Sequence, residues 1–585
     1  MIDLFSLVGL TCQNAIASKR TVGDKTVKMS RGFACMLVVA ALLIQGCGSE
    51  QHLFSNGDIY TADPDNPWVE AVVVEDDRIV YAGSMNGATA VLDQDTIEHD
   101  LQGRLLLPGF IDSHAHVFLA GIMAGYESLS GSKSHADVIA RLKQVVSNNT
   151  DEWIFVSGLD IGLYADNIDL KREELDAIEL DRPTVVFTSD MHSMWLNSAA
   201  LKRYNITKDT PERPGAVIRR DSAGNPTGMI ADKAAREVAA QIPFPKLEVA
   251  KNVLAELNTM TSLGYTGFME AFTTDESIGL VYRAMDLMGL LNLRAVLAVG
   301  YESGFGTEKF LAYIRGFEKY ENVRIKADTI KIFIDGATIP EIYNDTPPRG
   351  STTFPQGLID EEELSEVVAF AAQHDYSIYM HAIGNESVRM GLDAIEQAKE
   401  EYPASKSRFS ITHMMFSRPE SPAESPARFL KLDVFADFQP GHAGPGWTFN
   451  KMLRSTMRDE MIEQFFMFRD YKDAGVNVVT STDYPTQSNN PFYSIETGVT
   501  RDDALVDSGV ESNTDQTLSV KDWVDGFTRF AAMQLGIEDE TGSISVGKKA
   551  DLIIVNQNIF EVDPKNISDS SIDMTMFGGE VVYSR

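Results

Sequence analysis

The chain has 585 residues and a formal net charge of −34, from 85 acidic and 51 basic residues. This length exceeds one ordinary domain, and it favours a large barrel with appendages or a multidomain enzyme. The acidic surplus argues against nucleic acid as a partner, because neutralising phosphates requires a surplus of lysine and arginine.

All three cysteines, Cys12, Cys35 and Cys47, lie in the first 47 residues. The rest of the chain therefore has no cysteine for a disulfide or a thiolate metal site. Any metal bound there must use histidine, aspartate, glutamate or lysine.

A short apolar run over residues 35–44 is too short to cross a bilayer and has the layout of an export signal. The "IQGC" that ends at Cys47 resembles a bacterial lipobox, which implies cleavage before this cysteine and its lipidation. We therefore expect residues 1–46 to be a leader, with Met29 as an alternative start. The mature protein is then an exported lipoprotein, anchored to a membrane of the bacterial cell envelope on the periplasmic side or at the cell surface. The alternative is an uncleaved apolar N-terminus.

Alternating apolar and polar residues with turn signals occur at both ends of the chain. Residues 50–105 and 536–585 are predicted to form short strands that meet in one small β-sandwich module. Between them, over residues 106–535, strand-like runs alternate with helical patterns such as "DEEELSEVVAFAAQH". This alternation predicts an α/β fold, a (β/α)8 barrel of the TIM type, with an insertion near residues 125–232.

Several predicted strands end in a residue that can bind a metal. The runs "RLLLPGFIDSHAH", "SIYMHAIG", "FSITHMM" and "GVNVVTSTDYP" supply, in chain order, His114, His116, His381, His413 and Asp483. Taken singly, each could be a hydrogen-bonded polar group after a strand. Because the carboxyl ends of barrel strands face the active site, we expect the five to meet at one mouth and bind a metal.

Lys331 lies inside the predicted strand "TIKIFIDG", among apolar neighbours. Burying an ammonium group costs several kcal/mol unless it is paired or neutralised. Two interpretations remain open. The lysine forms an ion pair, for instance with Asp335, or it is carboxylated by carbon dioxide and its carbamate oxygens bridge two metal ions.

The motifs in this order resemble the amidohydrolase superfamily, specifically the metal-dependent hydrolases of amidohydrolase family 3, the YtcJ-like branch. The resemblance runs from about residue 53 to residue 585. It rests on "LLPGFIDSHAH", "DMHSMWLNSAAL", "GNPTGMIADKA", "IKIFIDG", "YMHAIGNESV", "ITHMM", "STDYP" and "GSISVGKKADLIIV".

The resemblance implies a centre of one or two divalent ions, with zinc as the expected metal. The implied ligands are two histidine pairs, a bridging carboxylated lysine, and an aspartate that is also the general base: His114 with His116, His381 with His413, Lys331 and Asp483. Two positions depart from the family pattern, since Asn385 replaces the aspartate of "IGD" and Thr412 replaces the glutamate of "EH". Neither replaces a ligand, but both are expected to affect ligand orientation and metal affinity, so operation with a single metal stays open.

The implied reaction is hydrolysis of a non-peptide carbon–nitrogen bond in a small molecule. A metal-activated hydroxide attacks the carbonyl, and Asp483 transfers the proton to the leaving nitrogen. Two alternatives remain, namely an esterase-like hydrolase that uses the same site and a catalytically silent binding protein. The intact Asp483 and Lys331 disfavour the silent protein.

The family places "DMHSMW" near the substrate, so that His192 is a candidate for substrate binding or for catalysis by oxyanion stabilisation. The alternative is a polar loop residue. His442 in "QPGHAG" and the nearby Trp447 are candidates to line the substrate pocket. A homo-oligomer is compatible with the sequence.

Overall fold

A computed structural model describes most of the chain after the predicted leader. The described residues are 50–164, 170–211, 213, 215–242, 245–337, 342–445, 453–505 and 513–585. The predicted lipidation site Cys47 and the predicted pocket residue Trp447 lie outside these residues. Within them, no helix combines the length and the apolar character needed to cross a membrane.

The strands are numbered here in chain order. They are β1 (Gln51–Tyr60), β2 (Trp68–Glu75), β3 (Arg78–Gly83), β4 (Ile97–Asp100), β5 (Leu105–Pro108), β6 (Phe110–Ala115), β7 (Glu127–Ser128), β8 (Ile154–Leu159), β9 (Thr184–Thr188), β10 (Ser193–Leu196), β11 (Ala216–Arg220), β12 (Pro226–Asp232), β13 (Tyr265–Thr273), β14 (Arg294–Tyr301), β15 (Ile325–Phe333), β16 (Ser377–Ala382), β17 (Phe409–His413), β18 (Val434–Phe438), β19 (Val478–Thr480), β20 (Leu552–Val555), β21 (Ile572–Phe577) and β22 (Glu580–Ser584).

The α-helices fall between these strands. They are Met85–Thr89, Val117–Met123, His135–Asn148, Arg172–Asp176, Ser198–Arg203, Lys233–Ala239, Lys246–Ser262, Glu276–Leu287, Thr307–Glu318, Glu361–Gln373, Asn385–Glu401, Pro426–Leu432, Asp459–Ile462, Phe468–Asp473, Pro491–Thr500, Val520–Asp525 and Ala531–Leu535.

The central sheet is a barrel of eight parallel strands in the order β6-β13-β14-β15-β16-β17-β18-β19. Most residues of its strands are buried, and "RAVLAVGY" of β14 is buried along its whole length, because helices cover the outer face. The end of β6 pairs with the segment that follows β19. There, the Asp483 N–H donates to the His114 carbonyl at 2.8 Å, and the His116 N–H donates to the Tyr484 carbonyl at 2.7 Å.

Capping residues help to set where the helices that cover the barrel begin. Glu361–Gln373 is an example, because the side chain of its N-cap residue Asp360 accepts a hydrogen bond from the Glu363 N–H at 2.8 Å. Leu364 and Val367 on its inner face are buried in the core between helix and barrel. Such helices fix the barrel strands from outside and leave the strand ends free to form the site.

A second sheet of eight strands combines both ends of the described chain. Its order is β22-β21-β20-β5-β1-β2-β3, and β4 pairs with β1 from the side. The link between the ends is antiparallel pairing of β5 with β20, in which Leu105 lies opposite Val555. A buried ion pair with 2.9 Å between Arg294 Nη2 and Asp551 Oδ2 joins this sheet to the barrel.

A third sheet has six strands in the order β11-β12-β10-β9-β8-β7, and it is inserted in the chain between the barrel strands β6 and β13. The hairpin of β9 and β10 in this sheet contains the "SDMHS" motif. The predicted fold class, an α/β barrel with an added β module and an insertion, is confirmed.

Candidate metal centre and active site

Asp483 lies between the first two predicted metal ligands. Its Oδ1 is 3.3 Å from His114 Nε2 and 3.3 Å from His116 Nε2. The three side chains thus present their ligand atoms within 4.8 Å of one another. This arrangement arises because β6 ends in "HAH" and the loop after β19 closes against it.

The other two predicted histidines lie on the neighbouring strands β16 and β17. The ring centroids of His381 and His413 are 4.6 Å apart, and those of His413 and His114 are 5.0 Å apart. His413, His442 and Asp483 form a second group whose ligand atoms lie within 4.8 Å of one another. The structure therefore brings all five predicted strand-end residues to one mouth and adds His442, which sequence reasoning placed only in the substrate pocket.

Hydrogen bonds assign the tautomer of His114. The Tyr379 hydroxyl donates to Asp437 Oδ2 at 2.8 Å, so its oxygen must accept at its other contact, 2.9 Å from His114 Nδ1. Since Nδ1 thereby carries the proton, Nε2 presents a lone pair towards Asp483. Thr412, one of the two departures from the family pattern, lies in this network, with its Oγ1 3.3 Å from the same Nδ1.

His381 is held in a similar way by Asp335. Its Nδ1–H donates to Asp335 Oδ1 at 3.0 Å, and the backbone N–H groups of Ile383 and Gly384 also donate to this carboxylate. Because Nδ1 of His381 carries the proton, its Nε2 has a free lone pair for a metal. The second departure from the family pattern, Asn385, lies further from the ring, and its side-chain Nδ2 donates to Glu424 Oε1.

His413 donates its Nδ1–H to Gln439 Oε1 at 2.7 Å. The amide of Gln439 is itself fixed, because its Nε2 donates to Thr412 Oγ1 at 2.9 Å and to Ser481 Oγ at 2.7 Å. Sequence reasoning missed the orienting residues Tyr379 and Gln439. The signal that could have indicated them is the presence of a polar residue inside a barrel strand or directly after one.

The charges suit a divalent cation. Burial lowers the pKa of His114, His381 and His413 well below the usual range, so the rings are neutral. Burial opposes ionisation of Asp483, but its surroundings, including a hydrogen bond with His116, outweigh burial and keep the pKa of this carboxyl well below its ordinary value. Neutral imidazoles with free lone pairs and a carboxylate are the donor set of a divalent metal site, so the residues fit such an ion.

Lys331 on β15 is fully buried at 0 % exposure, and among the described residues its Nζ has no hydrogen-bond partner. The Nζ atom lies 4.5 Å from the ring centroid of Tyr379. Burial lowers the pKa of Lys331 to about 7, against the opposing charges of Asp483 and Asp437. The ion pair with Asp335 is not found, because that carboxylate is engaged by His381 and backbone N–H groups.

His192 comes to the site from the insertion sheet. Its Nδ1 is 2.8 Å from Asp232 Oδ1, and its ring centroid is 5.5 Å from that of His381. A cavity is lined by residues of both the barrel and the insertion, among them His192, Asp190, His381, His413, Met415, His442, Thr486 and Asp483. The structure thus places His192 and His442 on the wall of one cavity with three of the metal-ligand candidates, and it adds Asp190, which sequence reasoning missed.

A parallel α/β barrel with this histidine and aspartate cluster at its strand ends defines a metal-dependent hydrolase site. Comparison with known protein families supports this class, since the sequence model of the amidohydrolase family matches residues 98–583. The chain therefore belongs to the amidohydrolase family, as its motifs predicted, and it is a metal-dependent hydrolase whose substrate is a small molecule.

Individual relatives cover nearly the whole chain at low identity. The putative amidohydrolase YtcJ of Bacillus subtilis (strain 168) is 25% identical over 551 residues, or 91% of this chain and 99% of the relative. N-substituted formamide deformylase of Arthrobacter pascens is 23% identical over 543 residues, or 91% of this chain and 98% of the enzyme. The crystal structure of an uncharacterized metal-dependent hydrolase from Pyrococcus horikoshii OT3 superposes with a TM-score of 0.67 at 21% identity, covering 88% of this chain and 99% of that one.

Proposed function

We propose that the protein hydrolyses a non-peptide amide bond in a small molecule, with Asp483 as the general base. The observation that supports this proposal is the position of Asp483, whose Oδ1 lies 3.3 Å from both His114 Nε2 and His116 Nε2 on the wall of the cavity. The pKa of its carboxyl lies well below the ordinary value, which favours the ionised form that can accept a proton from the attacking water and pass it to the leaving nitrogen.

The residues that would hold the metal are His114, His116, His381, His413 and Asp483. When bound, a divalent ion such as zinc supplies a Lewis acid that polarises a carbonyl and makes water more acidic. The chain's own contribution is to fix the histidine rings through Tyr379, Asp335 and Gln439, so that the Nε2 lone pairs are oriented before any ion arrives.

Lys331 would complete a two-metal centre as a carbamate. In the proposed modification, the neutral amine adds carbon dioxide, a nitrogen–carbon bond forms and one proton is released. The lowered pKa and the absence of a hydrogen-bond partner among the described residues favour this interpretation over a permanently charged ammonium. A bare ammonium beside two cations would repel them, whereas a carbamate would offset their charge.

N-substituted amides are the proposed substrates. The support is similarity to N-substituted formamide deformylase over 91% of this chain, together with a cavity that combines charged groups with Met415. The expected products are a carboxylate and an amine.

Removing and restoring the metal tests the proposal. Protein purified with bound metal is expected to hydrolyse at least one member of a panel of formamides, acylated amino acids, cyclic amides and esters, and exhaustive chelation is expected to abolish this activity. Zinc, manganese or cobalt should restore it, and elemental analysis should find one or two ions per chain. Active protein without a transition metal, or hydrolysis of esters only, would contradict the proposal.

We also propose that the protein is exported and anchored by a lipid at Cys47, on the basis of "IQGC" after a short apolar run. Cells fed a labelled fatty acid should incorporate the label into the natural protein and into a Cys12→Ala control, but not into Cys47→Ala. Label that persists in Cys47→Ala would contradict the anchor.

A further inference from the structure

The turn between β9 and β10 holds Asp190 rigidly at the edge of the cavity. Asp190 Oδ1 accepts hydrogen bonds from Thr188 Oγ1 at 2.5 Å and from the His192 N–H at 3.1 Å. The turn is further closed by Thr188 Oγ1, which lies 2.8 Å from the Ser193 carbonyl oxygen and 3.1 Å from the Ser193 backbone nitrogen. One oxygen of the carboxylate is therefore fixed by the turn itself.

The other oxygen has no such contact. Asp190 is only 8 % exposed, and its Oδ2 has no hydrogen-bond partner among the described residues. A buried carboxylate oxygen without a donor costs free energy, and native proteins leave few such atoms unexplained. Because Asp190 lines the same cavity as His381 and Asp483, a molecule in that cavity can supply the missing donor.

Neighbouring side chains in the described part of the chain do not supply it. The Nδ1–H of His192 is used by Asp232, that of His381 by Asp335 and that of His413 by Gln439. The cavity wall therefore combines a carboxylate oxygen that has no donor among the described residues with ring nitrogens that are oriented for a metal.

We propose that Asp190 Oδ2 accepts a hydrogen bond from an N–H group of the substrate, and that this contact selects secondary amides over tertiary amides and esters. The kinetic part of this inference rests on the proposed amide hydrolysis. An ester has no N–H at the leaving group, and an N,N-disubstituted amide places a methyl group where the donor is needed. The product amine retains this contact and is therefore expected to inhibit.

The variant Asp190→Asn tests the contact with little change of shape. The two hydrogen bonds to Oδ1 require an acceptor, so the amide oxygen is expected to take that position and to direct the NH2 group into the cavity. The acceptor for the substrate then becomes a donor, and two N–H groups face each other. The exposed Asp181, in the same insertion, supplies the control Asp181→Asn.

A matched set of substrates shares the acyl group of the best amide in the panel and carries either an N-propyl amide, an N-methyl-N-propyl amide or a propyl ester. For Asp190→Asn, kcat/KM on the N-propyl amide should fall about tenfold to a hundredfold, the effect of losing a hydrogen bond to a charged group. The other two substrates should change less than about threefold, and Asp181→Asn should change none of them. Equal losses on all three substrates would show that Asp190 only supports the turn.

Binding of propylamine and of propyl methyl ether, measured by calorimetry, separates this inference from the proposed function. The natural protein should bind the amine at least about tenfold more tightly than the ether, and Asp190→Asn should remove most of that difference. If no amide is hydrolysed but this pattern is found, the proposed function is wrong, whereas the inference that Asp190 accepts a hydrogen bond from a ligand N–H group is kept. Amine binding that is unchanged in Asp190→Asn overturns the inference, because water then suffices as the partner of Oδ2.

Discussion

The barrel and the insertion contribute to the site in different ways. On the barrel side, each of His114, His381 and His413 has one ring nitrogen bonded to a buried partner and the other directed to the centre. On the insertion side, His192 is bonded to Asp232, but Asp190 keeps one carboxylate oxygen without a partner among the described residues. Under the proposed function, the barrel fixes the groups that carry out the chemistry, and the inserted hairpin supplies the contact with the substrate.

The largest effect should come from removing the base on the barrel side. Asp483→Asn should lower kcat by about a hundredfold or more, because an amide cannot accept the proton. The exposed Asp473 provides the control Asp473→Asn, which should keep full activity. Near-normal turnover of folded, metal-loaded Asp483→Asn would assign the base to another residue and would weaken the division between the two regions.

Lys331→Ala should lose metal and activity together if the carbamate bridges two ions. Formate or propionate, entering the space left by the side chain, should restore part of both, and bicarbonate should aid metal reconstitution of the natural protein. Lys326→Ala, on the same strand but bonded to the Gly536 carbonyl, is the control and should retain its metal. Electron density that ends in an unmodified amine, in an active metal-loaded crystal, would leave a mechanism with one metal.

Asp335→Ala should lower metal affinity by about 10- to 100-fold, the usual effect of removing the partner that orients a histidine ligand. Asp335→Asn keeps an acceptor for the His381 Nδ1–H and should lose less. Metal titration monitored by competition with a chelator measures both variants. Equal affinities in Asp335→Ala and the natural protein would show that the barrel does not orient this ring for a metal.

The smallest effect should come from the insertion wall. Asp232→Asn keeps an acceptor for the His192 Nδ1–H but removes its charge, so KM should rise by about fivefold at most, without any change at the metal ligands. Metal content should stay the same. If this variant loses metal instead of substrate affinity, the comparison between the two regions fails.

Sequence patterns predicted the metal-ligand candidates because each lies at the end of a strand or shortly after it, and a parallel barrel places the carboxyl ends of all strands on one face. The eight-stranded barrel follows from the alternation of apolar strands with helical patterns, such as β14 and Glu276–Leu287. The six-stranded insertion sheet was expected only as an insertion, because short strands such as β10 lack a distinctive pattern.

The orienting residues could not be predicted, because their role depends on neighbours far away in the chain. Gln439 is polar and follows β18, but only the structure shows that its amide spans from His413 to Ser481. The same holds for Lys331, where burial was predicted but the absence of an ion pair with Asp335 was not. Asp190 is an aspartate in a turn by sequence, and its unmatched oxygen is visible only in three dimensions.

The pairing of β5 with β20 also makes the second sheet depend on two segments that are far apart in the chain. Leu105–Pro108 is fully buried, yet its antiparallel partner Leu552–Val555 follows the entire barrel. Until the two strands meet during folding, β5 has an unpaired, apolar edge, which is the kind of surface that aggregates when it persists. Because β20 covers this edge, a product that lacks β20 would keep β5 exposed as an aggregation-prone strand.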